Sequence, residues 1–416
     1  MEVQGVRNSC ELPPELTLTV MRLMDKRTLE KSAQVCRDWL ELSRPYLFAS
    51  VAYASQASYD QQQPAPLEDL LDFLRATPYV CSSVFNLSLR FSGSSGYRAY
   101  CSLQTLAATL RCLPRLRLLE FNCFPLEHSE VPASDEPAVA HLATLKIGGW
   151  YRASPDQTPP ADILQFLNLF EEIEHLVLGS SIEFPVTNAT LSCPRVQSLT
   201  LEGVHTLRTV PHFPPIAGLA SLQLPILGRD DVEPCRKVLD NVRAHLHDLE
   251  LKVHVPTIGC ATGEADFSYL RELDLASFPL AESVTIFLPV YGEAARPHAA
   301  SESPLEGPCF YEPAYTFIAG LIPLLPPSMQ TLRFKLHYFS LDPYYDYFRA
   351  EVWNWSDFPM EKDWAKLDDV LASRVSKGLR QVEFYDALEA RIPEVEQQAV
   401  VEALPRLWEG GVARFA

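Results

Sequence analysis

The sequence has no CxxC pair, no apolar run approaching the ~18 residues that cross a bilayer, and no surplus of basic side chains. Its ten cysteines are spread from Cys10 to Cys309, which reads as free thiols used as small hydrophobes rather than a disulfide framework. The apolar stretch Gly320 to Leu325 is broken by Pro323 and far too short, so no membrane partner is expected. Met1 to Gly5 has neither a basic nor an apolar leader region, which points to the cytoplasm or nucleus. Basic residues number 35 against 53 acidic ones, a net charge of −18. Residues 1–50 are balanced, seven of each sign, so the whole excess lies in residues 51–416. A surface that acidic repels phosphate backbones, so nucleic acid is not expected as a partner and a basic ligand surface is.

Catalytic signatures are missing too. There is no phosphate-cradling loop of P-loop or dinucleotide type, no HExxH zinc pair and no GxSxG elbow; Gly93-Ser94-Ser95-Gly96 lacks that spacing and reads as a loop. His245 and His247 flank Leu246 where polar and core positions alternate, so with His254 they read as a solvated strand face rather than metal ligands. Cys101, Cys112 and Cys123, eleven apart, read as buried thiols. No cofactor, no metal and no catalysis by this chain are expected.

What is present is an ordinary globular composition, 47 % hydrophobic and 21 % charged. Leu12-Pro13-Pro14-Glu15-Leu16 opens a helix, with prolines where a first turn tolerates a missing N–H. Leu16, Val20, Leu23 and Met24 then share one helical face. Asp25 is positioned to cap a second segment, in which Leu29, Ala33, Cys36 and Leu40 repeat at helical spacing and Val35 and Trp39 widen the stripe. A stripe that wide in ~40 residues needs a partner surface, in this chain or in another. Residues 55–66 are polar and proline-bounded, a linker by composition. Leu67, Leu70, Leu71 and Leu74 follow as another amphipathic helix.

Beyond the linker one pattern returns, apolar-x-x-apolar-x-apolar. It appears as Val84/Leu87/Leu89, Leu116/Leu119/Phe121, Leu142/Leu145/Ile147, Ile173/Leu176/Leu178 and Val196/Leu199/Leu201. It continues as Leu219/Leu222/Leu224, Leu246/Leu249/Leu251, Leu270/Leu273/Leu275, Met329/Leu332/Phe334 and Leu379/Val382/Phe384. Two apolar residues two apart point to one face of a strand. Helical stripes precede several matches, such as Leu103/Leu106/Ala107/Leu110 and Ile163/Phe166/Leu167/Phe170. A period of ~20–30 residues with this motif is the signature of leucine-rich repeats, whose units close a core only by stacking. An ordinary α/β domain is the competing reading. The wide gaps around Met329 predict units that the pattern misses.

Two stretches interrupt the period. Residues 292–313 are rich in Ala, Pro, Ser and Glu and read as a loop. Residues 338–364 crowd Tyr344, Tyr345, Tyr347, Trp353 and Trp355 among acidic residues. Such aromatics serve either as anchors for a target protein or as a cap on the end of the repeats, and both readings stay open.

The opening LPPEL at Leu12–Leu16 and the closing VCRDW at Val35–Trp39, with Tyr46-Leu47-Phe48 behind them, resemble an F-box. With the repeats, the chain is similar to the fungal F-box proteins that carry irregular leucine-rich repeats. The resemblance implies a small all-α F-box over residues 9–54, a linker over 55–66 and an α/β leucine-rich-repeat solenoid over 67–416. It implies a non-catalytic substrate-receptor subunit of an SCF ubiquitin ligase, docking on a Skp-type adaptor and through it on a cullin–RING ligase. The adaptor-facing positions it implies are Leu12, Pro13, Leu16, Val20, Leu29, Val35, Cys36 and Trp39, some of which also suit the core of the helical unit. The repeats would hold an unknown target protein. The alternative is a repeat scaffold with no ubiquitin-ligase role.

Overall fold

The computed structural model describes residues 14–56, 67–92, 101–122, 126–127, 137–150, 163–182, 193–203, 206–207, 210, 216–226, 231–253, 268–291, 318–339, 363–386, 392 and 394–416. The chain divides into two compact units, Met1–Ile173 and Glu174–Ala416.

The first unit opens with helix α1 (Pro14–Leu23). The Asp25 carboxylate then accepts the Thr28 backbone N–H at 2.8 Å and caps α2 (Lys26–Ser32). The helical stripe expected from Leu29 through Leu40 is interrupted. Gln34 and Val35 donate to the carbonyls of Lys31 and Ser32, the tight bonds that close a helix, and extended Cys36 starts α3 (Arg37–Leu47). Ser50–Gln56, read from sequence as the end of the helical unit and the start of a linker, is strand β1. It pairs in parallel with β2 (Asn86–Ser92), setting Val51 beside Leu87 and Tyr53 beside Leu89. Between them lie α4 (Leu67–Ala76), whose Leu67, Leu70, Leu71 and Leu74 are all buried as their spacing requires, and α5 (Pro78–Cys81). β3 (Cys101–Ser102) leads into α6 (Leu103–Arg111), capped by the Ser102 hydroxyl on the Thr105 N–H at 3.0 Å. β4 (Leu118–Asn122), β5 (Leu126–Glu127), β6 (Val139–Trp150) and α7 (Ile163–Leu167) complete the unit, and β7 (Phe170–Ile182) straddles its end. β3 and β5 form a short pair of their own; the main strands run β1-β2-β4-β6, parallel and in chain order.

The second unit repeats the scheme. β8 (Arg195–Leu201), β9 (Ser221–Ile226), β10 (Asp248–Val253), β11 (Ser283–Tyr291), β12 (Thr331–Phe339), β13 (Gln381–Asp386) and β14 (Ala413–Phe415) lie side by side in chain order, again parallel. Helices α8 (Val232–Val242), α9 (Asp363–Val375), α10 (Glu394–Ala403) and α11 (Pro405–Glu409) connect them. Their register stacks the motif residues. Leu199, Leu222, Leu249, Val284, Leu332 and Val382 form one column, and Leu224, Leu251, Ile286, Phe334, Phe384 and Phe415 another. Nearly every member is buried, so the core is a ladder in which each strand covers its neighbour's apolar pair. The chain is therefore an α/β protein of parallel strands.

One expected strand is absent. Leu270, Leu273 and Leu275 are buried, but they lie on 3-10 turns, Ser268–Leu273 and Leu275–Ser277, separated by Asp274 at φ 48°. That left-handed backbone, which aspartate tolerates better than most residues, prevents a strand there. The strand comes one step later as β11, whose Ala281/Val284/Ile286 has the same spacing led by a smaller residue. β14 was also missed by the pattern. The expected loop at 292–313 lies outside the described residues, as do Tyr344, Tyr345, Tyr347, Trp353 and Trp355. Trp364, at the end of that aromatic stretch, is buried at the start of α9. No helix among the described residues is long and apolar enough to cross a membrane.

Candidate protein-docking surfaces

The apolar spacing of α1 generates two faces. Thr17 and Met21, four apart, are buried, and Met21 is 0 % exposed. Leu16, Val20 and Leu23, the stripe read from the sequence, lie on a different face and are 53 %, 44 % and 83 % exposed; Leu18, also exposed, is on the far side of the helix from them. From the neighbouring helices, Leu29 is buried, whereas Val35 is 68 % exposed and Cys36 is exposed at the start of α3. Trp39 is half-buried, and Leu12 and Pro13 lie outside the described residues. Of the eight adaptor-facing positions, the structure thus leaves Leu16, Val20, Val35 and Cys36 open and places Leu29 in the core of the helices.

The interior of this unit is small and partly polar. The Ser32 hydroxyl donates to the Thr28 carbonyl at 2.9 Å, and fully buried Ser43 to that of Leu40 at 3.1 Å. The Thr28 N–H holds the Asp25 carboxyl below its usual value and keeps it ionised as a cap. Arg44 of α3 lies 4.6 Å over the ring of Tyr79 in α5, a cation–π contact tying the helices to the first strands' connection.

A second surface lies on the second unit, on the face of its strands opposite the apolar columns. Alternation puts Glu250, Thr285, Arg333, Glu383 and Arg414 in one row across β10 to β14. Arg333 Nε donates to Glu383 Oε2 at 2.8 Å and its Nη1 to Ser283 Oγ at 2.8 Å. Arg414 Nε reaches Glu383 Oε1 at 2.9 Å, and Gln381 Nε2 the same oxygen at 2.6 Å. Burial alone would push Glu383 up, but the hydrogen bonds and charges of Arg414 and Arg333 outweigh it and hold the carboxyl below its ordinary value.

The next row along the strands reads Phe287, Lys335, Tyr385, and Lys252, one residue past the last position that β10 pairs with β11, joins it through the Phe287 ring. Lys335 Nζ is 5.1 Å from the centroid of Phe287 and 5.7 Å from that of Tyr385, and Lys252 Nζ is 5.7 Å from Phe287. Lys335 also donates to both oxygens of Glu250, at 3.0 and 3.2 Å. Burial pushes the Tyr385 hydroxyl up, opposed by a hydrogen bond with Thr285. Sequence reading passed over this face; the positions that alternate with the core leucines of aligned repeats would have revealed it.

Among the described residues no group of three His, Cys, Asp or Glu is placed to hold a metal ion. His245 and His247 are exposed, while His254 lies outside the described residues. Burial pushes the thiols of Cys193 and Cys235 up to about 12, so neither is a thiolate at neutral pH. No family model matches the chain, and no curated protein matches it.

Proposed function

We propose that this chain is the substrate-receptor subunit of an SCF (Skp–cullin–F-box) ubiquitin ligase. In this reading α1 to α3 are the F-box that docks on a Skp-type adaptor, and the parallel strands with their connections are leucine-rich repeats that hold a target protein. The observation that carries the reading is the exposure of Leu16, Val20 and Leu23 along α1, with Val35 exposed in the turn after α2, on a helical unit whose own core is formed by other residues. An exposed helix face is ordinarily polar, so an apolar one calls for a partner. The strands' parallel, chain-ordered pairing supports the repeat assignment.

The test is binding of a purified Skp-type adaptor to the full chain, with a Leu16→Ser/Val20→Ser variant beside it. Each side chain still has about half its surface to bury, worth roughly 1 kcal/mol, so the pair should cost about thirty-fold in affinity with little change in melting temperature. A folded wild-type chain that does not take the adaptor removes the ligase role. One observation favours a second reading, a repeat scaffold with a helical end-cap: α3 runs directly into β1, and Arg44 already clasps Tyr79. That reading expects the same adaptor experiment to give no complex.

A further inference from the structure

The chain carries a net charge of −18, yet on the outer face of β10 to β14 four cations meet three carboxylates, one of them the exposed Asp248 in the row of Ser283. Its two upper rows hold Lys252, Arg333, Lys335 and Arg414 against Glu250 and Glu383. Glu250 is taken up by Lys335, and Glu383 is shared by Arg333 and Arg414, which leaves one arginine charge in excess. Lys252 lies over the Phe287 ring and has no carboxylate partner among the described residues. In the upper row cations and aromatic rings alternate strand by strand.

We propose that this row is a docking surface for an extended acidic segment of a partner protein, whose carboxylates pair with Lys252 and Lys335 while the residues between them lie on Phe287 and Tyr385. The acidic segment is argued from charge complementarity, and it reverses the basic partner that net charge alone suggested. The extended form is argued from spacing. Lys252 and Lys335 are two strands apart, about 9–10 Å at the usual strand separation. Every third residue of a polyproline-II segment recurs at about 9 Å on one side, so acids three apart match the two lysines. The proposal rests on the reading of the strand units as the target-holding part, and not on adaptor docking.

The probe is a fluorescein-labelled peptide of four Glu-Pro-Pro repeats, titrated by anisotropy into the full chain at low salt. A Gln-Pro-Pro peptide and a twelve-nucleotide oligothymidylate serve as comparisons. The glutamate peptide should bind at least about ten-fold tighter than the glutamine one, and Lys252→Ala and Lys335→Met should each weaken it about ten-fold. Arg111→Ala, at an exposed position that ends α6 in the first unit, should change nothing. Lys335→Met leaves Glu250 unpaired, so its melting is compared with wild type, and Lys252→Ala carries the test if it fails to fold. Equal binding of the two peptides, no binding of the glutamate peptide, an unaltered Lys252→Ala affinity, or oligothymidylate competing as strongly as the glutamate peptide would each overturn the proposal. Adaptor capture measured on the same samples separates the two readings: a chain that takes the peptide but no adaptor loses the ligase role and keeps this site.

Discussion

Asp368 is the residue whose removal should most clearly loosen the C-terminal end of the second unit. It is 3 % exposed in α9, and its carboxylate spans the first turn of α11, Oδ2 accepting the Arg406 N–H at 3.1 Å and Oδ1 the Leu407 N–H at 3.0 Å. Both bonds are charge-assisted, and the two donors belong to the unsatisfied start of a helix. In Asp368→Ala the two amides fare differently. Arg406 is exposed, so its N–H recovers water; Leu407 is buried, so its N–H loses its partner without replacement at about 1–3 kcal/mol. Adding the lost cap, the variant should be destabilised by about 2–4 kcal/mol. Asp368→Asn keeps one acceptor and the shape, and should lose about half as much. Urea denaturation gives the free energy, and hydrogen exchange locates it, because residues 405–415 should exchange first. An alanine variant within about 0.5 kcal/mol of wild type, with unaltered exchange there, would refute the account of how α11 is held.

Met21→Ala should cost about 2–5 kcal/mol in a denaturant titration, whereas Leu23→Ser on the same helix should stay within about 0.5 kcal/mol, since Met21 is fully buried and Leu23 open. Phe384→Ala should cost about 3–5 kcal/mol by the same measurement, because its ring stacks on Phe334 at 5.2 Å and also meets Phe415 at 6.0 Å. Glu383 has a folded-state value below the ordinary 4.5, so its stabilisation is full above that value and fades as pH falls further. The stability gap between wild type and Glu383→Gln should accordingly shrink as pH falls below about 4.5.

The parallel strand ladder was legible because its signal is redundant: Leu249, Leu332 and Val382 fall at the same offset in their units, and a register error would turn all of them to solvent. Leu270, Leu273 and Leu275 show where that logic stops. Their spacing suits a strand and they are buried, but a left-handed Asp274 is a local backbone event that a pattern of apolar positions does not encode. β11 was hidden for the opposite reason, its anchor being the small Ala281. On α1 the stripe was legible but its direction was not. Leu16 and Val20 have the spacing of a core face, and only the burial of Thr17 and Met21 reveals that the helix turns its less apolar side inward. The row of Lys252, Phe287, Lys335 and Tyr385 was invisible because it joins residues up to 133 positions apart, and their register is set by the intervening strands.

The inversion of α1 bears on function more than any motif does. Burying a leucine is worth about 1.5–3 kcal/mol, so a helix free to rotate about its axis would turn Leu16, Val20 and Leu23 inward. The helix instead buries Met21 and Thr17, in a helical interior that also holds the hydrogen-bonded Ser32 and Ser43. The free chain therefore leaves several kcal/mol of apolar burial unused on one face, and an association that covers it recovers that amount without any rearrangement of the helices. The row on the second unit works by different physics: its lysines are already half-satisfied by rings and by Glu250, so a ligand gains little from area there and must match charge and spacing. Affinity without much selectivity suits an adaptor common to many receptors, and selectivity without much area suits a target, which is the division of labour that the proposed function requires.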